Sequence, residues 1–283
     1  MTNFIRWRWT LCGVAGVLLS GGAVRAQPQQ DRHALEIVRV ATATELQADK
    51  DDHSLWMYRD VDRNHEGEHV SVVVETRAGS VDKKIEANGH RLGEEALRRE
   101  DARIKSFVND PAQQAKKRRE NEQDDRRAEG LLKMLPEAFL WTKKSDSGDV
   151  VTLEFEPNPE FVPPTLESRV FAAMAGEIVV NKAQSRIQTI RGRLTQDVKF
   201  GWGLFGKMDA GGTFNVERRE LAPGIWQITE SHVHIGGHAL LFKSIGEQDD
   251  EVKSGFKRTP PEMTLQSAAE FLKGQPESLS AQR

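Results

Sequence analysis

The sequence predicts an α+β fold: a large curved antiparallel sheet, or incomplete β-barrel, with helices covering its concave face. Three observations support this prediction. Strand-like runs fill residues 53–92, the middle from about 94 to 140 has almost no strand formers, and strand-like runs return from residue 150 onward. Strands, then helices, then many strands is the order typical of α+β proteins. So many antiparallel strands form a sheet that twists and curls rather than staying flat.

Residues 53–92 predict three antiparallel strands, because β-branched and aromatic runs are separated there by turn-forming residues. In the second run, Val70, Val72 and Val74 alternate with other residues and therefore fall on one face. The runs after residue 150 have the same character and predict a β-meander, which ends in a short C-terminal helix.

Residues 111–140 predict a long helix, since Asp110 and Pro111 form a favourable cap and first-turn pair. Its first turns carry charges of both signs, which can pair at i,i+4 spacing, and its apolar residues gather around Leu135. We expect a solvated helix that docks at its C-terminal end. The alternative is an arm that contacts a membrane surface or a partner. For residues 27–46, a short capping helix and a flexible leader both remain open.

Residues 1–26 predict a secretory signal peptide: a basic start, an apolar run over 11–19 and small residues ending at Ala26. The apolar run is shorter than the about 20 residues that span a bilayer. The single cysteine, Cys12, lies inside this run. The mature chain would therefore have no disulfide, no thiol nucleophile and no cysteine-ligated metal. We expect export to the periplasm, with no stable transmembrane segment after cleavage.

We expect residues 27–273 to form a single α+β domain with a charged helical insertion near 94–140, and 274–283 to be a frayed tail. A division into two domains near residue 145 is the alternative. The whole chain has a formal net charge of −3, and loss of the arginines in the signal peptide makes it more acidic. An acidic balance disfavours nucleic acid as a partner.

Several phrases of the sequence resemble a known family. They are "LLKMLPEAFLW", "FEPNPEFVPPTLESRVFAAMAGEIVV", "RGRLTQDVKFGWGLFGKMDAGGTFNVE" and "GHALLFKSIGEQDDEVKSGFKRTPPEMTL". In these phrases the chain resembles bacterial outer-membrane lipoprotein-sorting proteins, which are related to the periplasmic lipoprotein carriers. The resemblance implies an unclosed barrel covered by helices, which encloses an apolar cavity for acyl chains. It supplies no catalytic motif, and no functional residue is carried over from it.

Aromatic and apolar residues supply the candidates for the lining or mouth of such a cavity. One group lies in the first strand, another in the glycine-rich stretch "FGWGLFGKM", where glycines allow movement, and one in a later strand. The candidates are Trp56, Tyr58, Phe200, Trp202, Leu204, Phe205 and Trp226. Packing in the core is the alternative role for each of them. No cofactor is predicted.

The stretch "SHVHIGGH" raises the question of a metal site. On a strand, His232 and His234 share one face, while Val233 and Ile235 take the other. A metal would need a third ligand, such as His238, with all ligand atoms at about 2.0–2.2 Å from the ion. We interpret the stretch as the wall of a sheet and keep a metal site on His232 and His234 as the alternative.

The hydrolase motif G-x-S-x-G does not occur in the sequence. H-E-x-x-H occurs as "HEGEH" at residues 65–69, in a turn-forming cluster between two predicted strands rather than on the helix that a metalloprotease site requires. We therefore expect a binding protein without catalytic activity, which holds a lipid or the acyl chain of a lipoprotein in an apolar cavity. Envelope proteins are further candidate partners. The first alternative is an envelope interaction or scaffold protein with a filled core. The second is a histidine-dependent metalloenzyme.

Overall fold

The computed structural model of the chain describes residues 30–200, 206–239 and 243–274. Within these ranges there are five helices: α1 Arg32–Asp51, α2 Glu94–Val108, α3 Pro111–Ala138, α4 Leu166–Phe171 and α5 Leu265–Gly274. There are also thirteen strands: β1 Trp56–Asn64, β2 Gly67–Thr76, β3 Gly79–Ala87, β4 His90–Arg91, β5 Phe139–Ser147, β6 Val150–Pro157, β7 Met174–Asn181, β8 Arg186–Leu194, β9 Val198–Phe200, β10 Gly206–Met208, β11 Thr213–Ala222, β12 Ile225–Ala239 and β13 Lys243–Arg258. The predicted signal peptide and nearly all of the predicted tail lie outside the described residues.

All strands join one antiparallel sheet, in the order β4-β3-β2-β1-β13-β12-β11-β8-β7-β6-β5, and the short β9–β10 hairpin attaches to β12. The first and last strands of this order, β4 and β5, do not pair in the described structure, so the sheet does not close into a barrel. The prediction of a large, unclosed antiparallel sheet in a mixed fold is confirmed. None of the helices within the described ranges is both long enough and apolar enough to cross a membrane.

The helices contact opposite faces of the sheet. Residues that pair directly on neighbouring strands have their side chains on the same face of the sheet. Successive direct pairs connect Ile178 in β7 with Asp62 in β1, through one residue in each of β8, β11, β12 and β13. Asp62 and Trp56 lie on that face, whereas Met57 lies on the other, because side chains alternate along a strand. Ile178 packs with α1 and α3, and Met57 with α2 and α5. We call these the α1 face and the α2 face. This division refines the prediction of helices on one concave face.

On the α1 face, α1 buries small residues against the strands. Its N-cap Asp31 accepts hydrogen bonds from the backbone of His33 at 2.8 Å and Ala34 at 3.2 Å, which fixes the start of the helix. Ala34, Val38 and Ala41 follow at helical spacing and are fully buried. The segment that the sequence left open between helix and leader is therefore a helix from residue 32 onward.

On the α2 face, α2 and α5 close one end of the sheet. Ile104 and Val108 of α2 and Leu265 and Leu272 of α5 are buried among the apolar side chains of β1, β2 and β3. The predicted valine alternation in β2 is confirmed, since Val70, Val72 and Val74 all belong to this core.

Helix α3 begins where the sequence predicts. Asp110 accepts hydrogen bonds from the backbone N–H groups of Ala112 at 2.9 Å and Gln113 at 3.0 Å, and Pro111 occupies the first turn. The helix is mostly exposed until its last turns, where Leu135 and Ala138 are buried. It runs through Pro136 and ends at the start of β5, so it docks at its C-terminal end as expected.

Candidate ligand-binding cleft

A cleft of about 610 Å³ lies on the α1 face, between α1, α3 and the strands β8, β11 and β12. Helices α1 and α3 form its walls, and the sheet forms its floor. Strand alternation exposes Phe214 and Val216 on this floor, and the helical repeat directs Leu131, Leu132 and Leu135 toward it from α3.

Eleven large apolar side chains line this cleft: Leu46, Leu131, Leu132, Leu135, Phe171, Ile187, Ile190, Phe214, Val216, Trp226 and Ile228. Ile228 is 43% exposed, which is unusual for a large apolar side chain in the interior of a sheet. Apolar side chains that stay exposed in a concave site are typical of surfaces that contact a ligand.

A buried ion cluster joins α1 to the floor of the cleft. The Glu45 carboxylate accepts two hydrogen bonds from Arg186, each at 3.0 Å, and one from the backbone N–H of Ile187 at 2.7 Å. Arg218 reaches the same carboxylate at 2.5 Å. Burial alone would raise the pKa of Glu45, but the hydrogen bonds from Arg186 and the charge of Arg218 outweigh it and lower this pKa. The carboxylate is therefore ionised, and it engages both arginines of the lining.

Carboxylates dominate the polar part of the lining. Besides Glu45, the cleft is lined by Asp49 of α1, Asp52 directly after α1, Glu75 of β2, and Asp125 and Glu129 of α3. Burial and the neighbouring charge of Asp49 raise the pKa of Asp125. Burial also raises the pKa of Glu75, although the backbone N–H of Trp56 donates a hydrogen bond to it at 2.9 Å. The cleft is thus apolar on its floor and acidic at its rim.

A second depression, of about 390 Å³, lies between α2 and α5. Among its described lining residues, Ile104 and Val108 are the large apolar ones, and the others are small or polar. Because an apolar ligand needs apolar walls, this depression is the poorer candidate for a lipid site.

Among the predicted lining residues, Trp226 lies in the cleft. Its indole Nε1 donates a hydrogen bond to Gln184 at 2.9 Å, and the Arg186 guanidinium lies 5.9 Å from the ring centroid. Trp56 and Tyr58 share the α1 face but pack in a separate cluster around Phe256, with ring centroids 6.1 and 5.1 Å from that of Phe256. They are buried and do not line the cleft.

The glycine-rich stretch cannot be compared with its prediction. Trp202, Leu204 and Phe205 lie outside the described residues, and Phe200 is described only by its backbone in β9. Their predicted role at the mouth of a cavity stays a prediction.

The histidines lie on the α2 face of β12. His232 Nδ1 is 2.7 Å and His234 Nε2 is 2.8 Å from the same oxygen, Oδ1 of Asp250 on β13. The shared face expected for this pair is therefore confirmed. Burial would raise the pKa of Asp250, but its hydrogen bonds with His232 and His234 lower it. In the part of the chain that the structure describes, no group of three or more histidine, cysteine or acidic side chains is placed to hold a metal ion.

Sequence reasoning missed most of the cleft. Leu46 and Glu45 lie in a segment whose secondary structure the sequence left open, and Ile228 carries no signal beyond its strand propensity. The apolar end of α3, around Leu132, was recognised as a docking surface, but the pattern does not tell which side chains bury against the sheet and which face a cleft. Glu45 pairs with Arg186 across 141 positions, a distance at which local patterns carry no information.

No protein-family model matches this chain, and no curated protein matches it in sequence. Among solved structures, a Vibrio parahaemolyticus domain is similar; it is described, provisionally, as an outer membrane lipoprotein-sorting protein domain. The identity is 11%, the alignment covers 83% of this chain and 99% of that chain, and the TM-score is 0.29. At that identity and TM-score the likeness carries no functional argument.

Proposed function

We propose that this protein is an exported, periplasmic binding protein without catalytic activity, which holds a lipid or the acyl chain of a lipoprotein in the cleft under α1 and α3. The observation that carries the proposal is the apolar floor of this cleft. Its volume of about 610 Å³ falls within the range of about 300–1,000 Å³ that is usual for small-molecule sites. The resemblance of the sequence to lipoprotein-sorting proteins and the predicted signal peptide agree with this function.

Burial of methylenes would supply the binding energy. Each methylene removed from water contributes about 0.8 kcal/mol, so ten methylenes on this floor contribute about 8 kcal/mol before the entropic costs of association. A flexible chain needs no directional partner along its length. The apolar side chains of α3 and of the sheet provide such a surface.

The cleft also bears on the two alternatives. A scaffold protein with a filled core would bury Ile228 against Leu131 and Leu132 of α3, whereas these side chains keep exposed surface and line a concave space. A metalloenzyme centred on His232 and His234 would need a further ligand, and both rings are already bonded to Asp250. Both observations favour the binding protein.

Uptake of a neutral single-chain lipid tests the proposal. We expect purified protein to bind 1-monomyristoylglycerol, measured by calorimetry below its aggregation concentration, with one site per chain. Ile228→Glu places a charge among the apolar side chains of the cleft and should abolish binding. Val162→Glu is the matched control, because Val162 is 84% exposed and does not line the cleft.

The control should bind like the unchanged protein. No uptake by the unchanged protein, or equal uptake by Ile228→Glu, would count against the cleft as the lipid site. Circular dichroism of both variants separates loss of binding from loss of folding.

A further inference from the structure

Resting on the proposed function, we infer that the ligand of the cleft is a cationic amphiphile: an apolar chain joined to a positively charged group. The chain lies on the floor formed by the sheet and α3, and the charged group lies between the carboxylates of Asp49 and Asp125 at the rim.

The lining of the cleft is predominantly acidic. Among the lining residues that the structure describes, there are six carboxylates and two guanidinium groups, and no lysine or histidine. Both guanidinium groups, of Arg186 and Arg218, bind the single carboxylate of Glu45. The arginines are therefore already engaged and are poorly placed to receive the carboxylate or phosphate of an anionic lipid.

The remaining carboxylates of the lining differ in their partners. Glu129 has a cation of its own, since Lys133 Nζ lies 2.7 Å from it. Within the described residues, Asp52 and Glu75 accept hydrogen bonds only from neutral donors: the Ser54 backbone and the Gln227 amide for Asp52, and the Trp56 backbone and the Tyr58 hydroxyl for Glu75. The charge of Lys253 acts on Glu75, but Lys253 forms an ion pair with Glu251 at 3.1 Å.

Two carboxylates of the rim locate the charged group. Asp49 on α1 and Asp125 on α3 are both exposed residues of the cleft lining, and the charge of Asp49 acts unfavourably on the carboxylate of Asp125. Within the described residues, neither has a hydrogen bond or an ion pair; the charge of Arg126 acts favourably on Asp125, but Arg126 itself pairs with Glu122 at 3.9 Å. A cation placed between them would relieve this repulsion and join the two walls. A second carboxylate or a phosphate there would increase it.

Three probes with one tetradecyl-length chain and different charge test the inference: tetradecyltrimethylammonium, 1-monomyristoylglycerol and myristate. Each is titrated calorimetrically into the protein at low salt and below its aggregation concentration. We expect the cationic probe to bind about tenfold more tightly than the neutral one, with the anionic probe weakest. Added salt should reduce the difference, because the rim is open to solvent.

A paired variant assigns the preference to the rim. The double variant Asp49→Asn, Asp125→Asn should lose the preference for the cation, so that the cationic and neutral probes bind it with similar affinity. The control is the double variant Glu122→Gln, Asp124→Asn, which makes the same change in charge on exposed residues that do not line the cleft. It should keep the full preference, and this outcome excludes general attraction of cations to an acidic protein.

The outcomes separate the inference from the function on which it rests. Equal binding of all three probes, tighter binding of myristate, or an unchanged preference in the Asp49 and Asp125 variant would overturn the inference and leave lipid binding intact. Failure of every probe to bind would overturn the proposed function, and the inference with it.

Two sources could supply a chain with a cationic group: an amino lipid of the membrane, or the acylated end of a lipoprotein with a basic residue beside it. Myristoyl-lysine amide and lysophosphatidylethanolamine distinguish them. Tighter binding of the lysine amide would favour the lipoprotein, because the phosphate of the second probe faces the acidic rim. Either probe binding in preference to myristate supports the inference.

Discussion

Helices α2 and α5 seal one end of the sheet, whereas α1 and α3 leave a cleft on the opposite face. Each side contains a buried charge that joins helix to sheet. On the α2 face, Lys83 of β3 bonds Asp101 of α2 at 2.6 Å and the Leu272 carbonyl of α5 at 3.2 Å, so one cation ties both helices down. On the α1 face, Glu45 forms ion pairs with Arg186 and Arg218. These pairs connect α1 to the strands and do not involve α3.

The difference shows how one antiparallel sheet can form a closed core on one face and an open cleft on the other. The N-terminal half of α1 packs closely through Ala34, Val38 and Ala41. One turn later, Glu45 and two arginines occupy the space between helix and sheet, and the surface beside them opens toward α3. An ion cluster needs more room than an alanine, so it keeps the C-terminal half of α1 away from the floor. The cleft lies where this cluster replaces small apolar residues.

The largest expected effect comes from breaking the ion cluster. Glu45→Gln leaves the buried Arg186 and Arg218 without a counter-charge, so we expect the free energy of unfolding to fall by about 3–5 kcal/mol. Urea denaturation monitored by tryptophan fluorescence measures it. Glu95→Gln breaks the exposed Glu95–Arg99 pair, 2.6 Å apart, and should change the same quantity by less than about 1 kcal/mol. Equal effects of the two substitutions would contradict the structural role of Glu45.

The next effect separates the two faces. Leu272→Ala opens a cavity in the sealed core of the α2 face, and we expect a loss of about 2–5 kcal/mol in unfolding free energy. Affinity for 1-monomyristoylglycerol should stay unchanged, because Leu272 does not line the cleft. Calorimetry at a temperature where the variant is folded checks this. A loss of lipid affinity would mean that the two faces are coupled.

A smaller effect depends on pH. On the uncovered part of the α1 face, burial and the nearby charge of Glu251 raise the pKa of Asp60 to about 7. A raised carboxyl pKa means that the folded state keeps the proton longer than the unfolded state does. Stability from this group is therefore fully present below about pH 4 and is lost as the pH rises to about 7.

Asp60→Asn should remove this loss. Relative to the variant, the unchanged protein should lose about 1–2 kcal/mol of unfolding free energy between pH 4.5 and pH 7.5, after allowance for solvent screening. Urea denaturation at both pH values measures the difference. Asp124→Asn on the exposed part of α3 is the control and should follow the unchanged protein. Parallel curves for the unchanged protein and Asp60→Asn would argue against the raised pKa.

The smallest expected effect concerns metal. Because His232 and His234 are bonded to Asp250, we expect exhaustive treatment with a chelator to move the unfolding temperature by less than about 1 °C. Differential scanning calorimetry before and after treatment measures this. A fall of several degrees that zinc restores, and that His234→Ala abolishes, would revive the metal site.

Local patterns in the sequence account for many of the elements and only in part for the site. Strand β5, Phe139–Ser147, was not predicted, because its first residues continue the apolar end of the helical pattern of α3. The valine alternation of β2 and the Asp110–Pro111 start of α3 were predictable because each depends on neighbours in the chain. Trp226, which was predicted to line a cavity, is among the residues that line the cleft, and its contact with a ligand stays a prediction. Trp56 was predicted from the same residue type and shares its sheet face, but it packs under Phe256 instead. Alternation predicts which residues share a face; which part of that face a helix covers depends on contacts distant in sequence.

The central claim is that the cleft under α1 and α3 holds an apolar chain. The most direct measurement is mass spectrometry of organic extracts from the protein, purified from its native compartment without detergent, beside Ile228→Glu and Val162→Glu. We expect a lipid or an acylated peptide in near-stoichiometric amount with the unchanged protein and with Val162→Glu, and its absence from Ile228→Glu. Extracts without lipid from all three proteins, or equal lipid from all three, would contradict the claim.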